Sequence, residues 1–210
     1  MMKIAIADDH AIVRKGLKLI LETEFGDVTL DESSSGDELI DLVRHNNYDL
    51  IILDISMPGK DVLDTLKDLK DLKPNIPILI FSMNPEKAYA VRMLKSGASG
   101  YINKDCSHEE LIEAIKKVIS GRGYISSTLS ELLASEIREG SEKPIHQTLT
   151  DREFQIFCMI ASGNSLDEIA EKLFLSKNTI SNHRNNIMKK LKLKNNAEIT
   201  AYAMKNEIVI

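Results

Sequence analysis

The sequence predicts a doubly wound α/β domain on a five-stranded parallel sheet, followed by a small all-helical domain. Five short apolar runs punctuate residues 1–121 at fairly even spacing, and a segment of helical periodicity follows each one. Beyond residue 148 the segments read as helices alone. Parallel neighbours need crossover connections, which are overwhelmingly right-handed helices, so units that alternate in this way place helices on both faces of one sheet.

The strand candidates are residues 3–7, 28–33, 50–53, 76–81 and 100–103, most of them apolar enough to be buried on both faces. Helices between them are marked by Ile12, Leu17, Ile20 and Leu21; by Leu39, Ile40 and Val43; by Leu63, Leu66 and Leu69; by Ala90, Val91 and Leu94; and by Leu111, Ile112, Ile115 and Ile119. The pattern then loosens around Gly121, Gly123, Ser126, Ser127, Gly140, Ser141 and Pro144. Residues 141–147 read as the core of a linker, preceded by a short amphipathic helix carrying Leu129, Leu132, Leu133 and Ile137. Thr150-Asp151-Arg152-Glu153 opens the next helix with a capping signal, Ile156, Phe157 and Ile160 supply its apolar face, and Gly163 ends it. A second helix is expected over 165–174 and a third, capped by Ser176, to about residue 193. The tight turn at 174–176 makes these two a helix-turn-helix. A fourth helix spans 196–205. The expected organisation is 1–121, a connection over 122–147, and 148–210.

A chain of 210 residues that is 43% hydrophobic and 28% charged is neither disordered nor of low complexity. Cys106 and Cys158 lie far apart, and neither they nor His10, His45, His108 and His146 show metal-ligand spacing. No window approaches 18 consecutive apolar residues, and Asp8 and Asp9 fall where a signal peptide would need its apolar centre. A cytoplasmic protein with no membrane partner is expected. The net charge of −5 hides an asymmetry: residues 1–147 hold 18 Lys+Arg against 25 Asp+Glu, whereas residues 148–210 hold 9 against 7. Residues 176–195 carry six Lys+Arg and no acid.

In a doubly wound sheet, ligands bind at the carboxyl ends of the strands. There the first run meets Asp8 and Asp9, the third Asp54, the fourth Ser82, and the fifth closely precedes Lys104. Taken singly, such an acid is usually a turn residue or a helix cap, as Asp9 could be for the helix beginning near His10. Three carboxylates converging on one edge, however, repel unless a cation joins them, and hard oxygen ligands suit Mg²⁺. A carboxylate can also accept a phosphoryl group whose charge a metal and a lysine offset. No glycine-rich phosphate loop supports a nucleotide site instead.

With these residues, positions 2 to about 121 resemble the flavodoxin-like receiver domain of bacterial two-component response regulators. The resemblance implies that Asp54 is phosphorylated by a sensor histidine kinase. It implies Asp9 and Asp54 as side-chain Mg²⁺ ligands, Ser56 as a backbone-carbonyl ligand and Asp8 as part of the acidic pocket. Ser82 matches the switch hydroxyl, Tyr101 the switch aromatic and Lys104 the lysine that contacts the phosphoryl group. Met57-Pro58-Gly59 matches the loop after the phosphorylation site, while Val62 stands where glycine is common.

On the third C-terminal helix, Lys177, His183, Arg184, Lys189, Lys190, Lys192 and Lys194 form a basic stripe that attracts phosphates, and Asn182, Asn185 and Asn186 can pair with adenine edges. A charge run is more often only a solvated face, but this one sits on the second helix of the motif. Leu149-Thr150, Arg152-Glu153, Gly163, Glu168-Ile169-Ala170, Leu175-Ser176, Thr179-Ile180, His183, Ile187 and Lys190-Leu191 resemble the DNA-binding domain of LuxR-type regulators. By that resemblance Ser181, Asn182 and Asn185 face the bases of promoter DNA, Lys177, Thr179, Arg184 and Lys189 hold its backbone, and His183 belongs to the same surface. Ala197, Thr200, Ala201 and Met204 on the fourth helix match the family's dimer contact, although small apolar residues there could equally pack the core. Two departures, Ser181 for a common lysine and Leu166-Asp167 for a common Asn-Lys pair, imply a weaker grip on phosphate.

Together the domains resemble a response regulator of the NarL/FixJ type, a non-enzymatic transcription factor whose phosphorylation favours a DNA-bound homodimer. Two alternatives fit the residues less well. An Mg²⁺-dependent phosphohydrolase with an aspartyl nucleophile typically presents Asp-x-Asp after its first strand, whereas Asp54 follows the third. A phosphorylation-independent DNA binder leaves the set of Asp8, Asp9, Asp54, Ser82 and Lys104 without a purpose.

Overall fold

A computed structural model describes residues 2–131, 134 and 145–209. The chain divides into two compact units, Met1–Ser127 and Thr128–Ile210.

In the first unit β1 (Met2–Ala7), β2 (Val28–Ser33), β3 (Leu50–Leu53), β4 (Ile78–Ser82) and β5 (Gly100–Asn103) alternate with α1 (Ala11–Phe25), α2 (Gly36–His45), α3 (Val62–Leu72), α4 (Glu86–Lys95) and α5 (His108–Ile119). The sheet is all parallel in the order β2-β1-β3-β4-β5, which sets the carboxyl ends of β1, β3, β4 and β5 side by side. β3 and β4 are buried throughout, while β2 lies at an edge and is only partly covered. Strand β4 begins at Ile78 and not at residue 76, because Pro77 has no N–H to give; its carbonyl instead accepts from Ile51 N–H at 2.9 Å. It also runs one residue further than expected, so Ser82 is its last residue.

One face of the sheet packs Ile4, Ile6, Leu50, Ile52, Leu79, Phe81 and Ile102 against Leu17 and Leu21 of α1 and Leu111, Ile115 and Val118 of α5. Strand alternation leaves Ala5, Ile51, Leu53 and Ile80, all fully buried, for the opposite face. Ser35, Asp61 and Ser107 cap α2, α3 and α5 through their side-chain oxygens, and Val62 opens α3 directly after its cap. Past α5 the chain returns to the sheet. Tyr124 pairs with Gly100 in a parallel bridge and donates its N–H to Ser99 O at 3.0 Å. A Cβ at position 100 would lie 3.0 Å from the Tyr124 carbonyl, so only glycine permits this approach without a shift.

Residues 127–131 are helical, but Leu132, Leu133 and Ile137 of the expected amphipathic helix lie outside the described residues, as do positions 141–144 of the expected linker. Residues Ile145–Thr148 form a 3-10 helix in which His146 is buried, its Nδ1 3.2 Å from the Tyr202 hydroxyl. That end of the expected linker is therefore folded. The second unit continues as α6 (Asp151–Ala161), α7 (Leu166–Lys172), α8 (Lys177–Leu191) and α9 (Asn196–Lys205), around Phe154, Phe157, Ile169, Ile180, Ile187, Leu191, Ile199 and Ala203. Complete capping boxes open α6 (Thr150 with Glu153) and α7 (Ser165 with Glu168). Among the described residues, no helix is long and apolar enough to cross a membrane.

Candidate functional site

In the first unit the strand ends assemble a buried ionic site. Asp8 and Asp54 follow β1 and β3 directly and are 1% and 2% exposed. Between them lies Lys104, just past β5, with Nζ 2.6 Å from Asp8 Oδ2 and 2.9 Å from Asp54 Oδ2. Burial pushes the ammonium down and the two carboxylates more than reverse it, so its pKa is raised. Asp54 Oδ1 accepts from Ser56 N–H at 3.3 Å, and Asp8 Oδ1 accepts from His10 N–H at 2.8 Å. One ligand atom from each of Asp8, Asp9, His10 and Asp54 falls within 4.8 Å of the others. Three carboxylate oxygens so grouped are a donor set that fits Mg²⁺.

His10 shows no metal-ligand spacing in the sequence, yet it joins this cluster, with Nδ1 2.7 Å from Asp9. Asp9 does not cap α1; His10 occupies the cap position and makes no side-chain capping bond. Arg14 braces the site from α1 by donating to Asp8 O at 2.6 Å, and it pairs with Glu32 at 2.9 Å.

Ser82 is fully buried at the end of β4, and its Oγ accepts from Asn84 N–H. Asn84 in turn donates from its side chain to Ser56 Oγ at 3.1 Å. Tyr101 is fully buried, turned inward, with its hydroxyl donating to the Asn84 carbonyl at 2.8 Å. Burial is the main cause of a strongly raised phenol pKa; hydrogen bonding with Ser82 opposes it, and the charges of Glu86 and Asp54 add to it. Asn84 thus links Ser56, Ser82 and Tyr101, a role no sequence pattern announces. Glu86, the first residue of α4, accepts from Ser126 Oγ at 2.6 Å, while its other carboxylate oxygen is buried with no hydrogen bond among the described residues. Burial pushes the Glu86 carboxyl up, Ser126 pulls it back, and the charge of Glu110 adds to the rise. Beside Lys104, a cleft of about 410 Å³ is lined by His10, Leu17, Ile20, Met83 and Leu111.

In the second unit α8 carries the polar surface. Ser176 Oγ accepts from Thr179 N–H at 3.1 Å and fixes the start of the helix; Thr179 Oγ1 lies 2.8 Å from the same oxygen. The turn before it holds Phe174 at φ 52°, 84% exposed. Ile180, Ile187 and Leu191 face the core, leaving Lys177, Asn182, Asn185 and Lys189 exposed and Ser181, His183 and Arg184 partly so. Lys189, Lys192 and Lys194 border an open cleft of about 490 Å³ with Asn185. Lys190 keeps its side chain 36% exposed and also pairs with the buried Glu153 at 2.5 Å, reaching Thr148 O at 3.4 Å. Burial raises the Glu153 carboxyl, but Lys190 and the Thr150 hydrogen bonds outweigh it and hold the pKa below the usual range. Arg184 donates to Asn196 Oδ1 at 2.6 Å, and Lys177 pairs with Asp167 at 2.7 Å. On α9, Ala197, Ala201 and Met204 are exposed and Thr200 partly so, while Ile199 and Ala203 fill the core. The stripe is therefore a surface and not core packing.

Comparison with known proteins matches a family to part of each unit. Residues 4–116 match the response regulator receiver domain, and residues 147–203 match the luxR family of bacterial regulatory proteins. The oxygen regulatory protein NreC of Staphylococcus carnosus is 36% identical over 215 residues, covering 99% of each chain. Among solved structures, RcsB from Salmonella typhimurium, studied for conformational dynamism for DNA interaction, is similar with a TM-score of 0.79, 27% identity and 98% coverage of both chains. RcsB from Salmonella enterica serovar Typhimurium, bound to promoter rprA in the presence of phosphomimetic BeF3-, is similar with a TM-score of 0.70, 27% identity, and 97% and 99% coverage.

Proposed function

From the fact that this chain belongs to the NarL/FixJ-type two-component response regulators, DNA-binding transcription regulators with a receiver and a LuxR-type domain, we propose that its switch is phosphorylation of Asp54 by a sensor histidine kinase. The observation that carries this reading is the position of Lys104 between Asp8 and Asp54, 2.6 and 2.9 Å away, at the carboxyl edge of a parallel sheet. An Asp54 oxygen attacks phosphorus as the phosphorus–nitrogen bond of the kinase's phosphohistidine breaks, leaving an acyl phosphate on the chain. Ser56 N–H orients the carboxylate, and Lys104 offsets the charge of the arriving phosphoryl oxygens.

Asp9 and Asp54, with the backbone carbonyl of Ser56, would hold Mg²⁺, and Asp8 would complete the acidic pocket. When bound, the ion neutralises charge that builds up on the phosphoryl oxygens. Ser82 then hydrogen-bonds the phosphoryl group, and Tyr101, joined to it through Asn84, follows. In this reading residues 1–121 form the receiver, 122–147 the connection and 148–210 the DNA-binding domain. Ser181, Asn182 and Asn185 read base edges of double-stranded promoter DNA, while Lys177, Thr179, Arg184 and Lys189 hold its backbone, with His183 on the same surface. Ala197, Thr200, Ala201 and Met204 join two copies on the DNA, as fits a stripe that the core leaves exposed. The protein acts in the cytoplasm and turns over no external substrate.

Phosphate-affinity electrophoresis and a DNA-binding titration of the wild type and Asp54→Ala, with acetyl phosphate and Mg²⁺ at fixed salt, test this reading. The expected result is a mobility shift and tighter DNA binding in the wild type alone. Modification of both proteins, or equal DNA binding whether or not the wild type is modified, would overturn it.

A further inference from the structure

We infer that Asp167 acts as an electrostatic brake on DNA binding, by holding Lys177 away from the nucleic acid backbone. Lys177 is the first residue of α8, and its Nζ lies 2.7 Å from Asp167 Oδ2, both side chains being well exposed. The first turn of α8 contains no acidic residue, so the helix dipole and Lys177 together make a positive end that favours a phosphate oxygen. Asp167 places a carboxylate beside the Lys177 ammonium. Asp167 stands in the first turn of α7, where the helix dipole favours an acid, but it takes no part in that helix's capping box, which Ser165 and Glu168 complete, with Glu168 Oε2 accepting from Ser165 N–H at 2.7 Å.

An exposed ion pair contributes little to folding, so the effect of this one falls mainly on what Lys177 can do elsewhere. Each lysine that neutralises a phosphate releases counterions, which gives binding both its strength and its salt dependence. To engage a phosphate, Lys177 must leave Asp167, and the uncovered carboxylate then faces the polyanion. Asp167 therefore reduces sequence-independent affinity, and specific sites must gain proportionally more from the base-facing residues. The inference rests on the assignment of Lys177 to the DNA backbone.

The test uses the full chain and a fluorescein-labelled duplex of mixed sequence, titrated by anisotropy across a salt series. Asp167→Asn is expected to bind about three- to tenfold more tightly near 0.1 M salt, with the slope of log affinity against log salt steeper by up to about 0.9. Asp167→Glu, which keeps the charge, is expected to retain the wild-type slope. In a Lys177→Gln background, Asp167→Asn should leave the slope unchanged, because the masked cation is gone. Equal affinity and slope for the wild type and Asp167→Asn would overturn the brake. So would the same gain in the Lys177→Gln background, because Asp167 would then act on DNA without Lys177. A wild type with no salt-dependent binding would instead overturn the DNA-contact assignment.

Discussion

In the first unit the chain sets Lys104 against Asp8 and Asp54 with side chains only 9%, 2% and 2% exposed, whereas in the second it sets Lys177 against Asp167 with side chains 60% and 69% exposed. The chemistry proposed for each accounts for the difference. Accepting a phosphoryl group needs charges fixed in advance, with little water to reorganise, and a buried cluster provides that. Holding a nucleic acid backbone needs hydrated, movable cations whose counterions can be released. Burial also makes the first set structural as well as functional, because removing one partner strands the others without solvation. An exposed set carries no such penalty, and its members can change while the fold is untouched.

The contrast can be broken most directly at Lys104. Lys104→Met should destabilise the first unit by about 3–5 kcal/mol, since it removes the ammonium held between two buried carboxylates, and added Mg²⁺ should recover part of the loss. Urea melts with and without the ion measure both effects. Unchanged stability would mean that the cluster is already hydrated.

Next is the exception inside the second unit. Glu153 is 6% exposed on its side chain, so Lys190→Met should cost about 1–3 kcal/mol, read from thermal melts. The same pair predicts a pH effect. A carboxyl whose pKa is depressed on folding adds stability that is present above its unfolded pKa and lost as pH falls through the folded one. The second unit should therefore weaken below the ordinary glutamate range in the wild type, and this loss should be smaller in Lys190→Met.

A smaller effect of opposite sign is expected at Glu86. Its carboxyl is raised chiefly by burial, so its charged form works against folding at neutral pH. Glu86→Gln should raise the thermal midpoint of the first unit slightly, by less than about 1 kcal/mol in stability. Smallest of all, Lys189→Met should change folding by no more than about 0.5 kcal/mol, yet weaken DNA binding nearly equally on every sequence. A folding loss comparable to that of Lys190→Met would erase the distinction between the two lysines.

How far each region was legible in the sequence follows the same physics. Asp8, Asp54 and Ser82 stand at or just after the ends of apolar runs, and a parallel sheet brings such ends together, so their meeting could be read before any coordinates. The partners from outside the strand ends could not. His10 and Arg14 reach the cluster through the way α1 leaves β1, and the Glu86–Ser126 bond joins residues 40 apart with no pattern between them. On α8 the basic stripe was legible as composition, but the pairing of Lys190 with Glu153 was not. Lys190 stands three residues after Ile187 and next to Leu191, both buried, and this helical spacing was the available sign that it borders the core.

Finally, the bridge between Tyr124 and Gly100 bears on how the first unit avoids self-association. β5 ends the sheet, and an uncovered terminal strand offers its unpaired amides and carbonyls to another molecule. Tyr124 covers the start of that strand, and its own hydroxyl is anchored on Glu110 at 2.9 Å. A fragment ending at residue 121 would keep every strand and helix of the sheet domain and still lose this cover. It should oligomerise at concentrations where a fragment reaching residue 127 stays monomeric, a difference that size-exclusion chromatography measures.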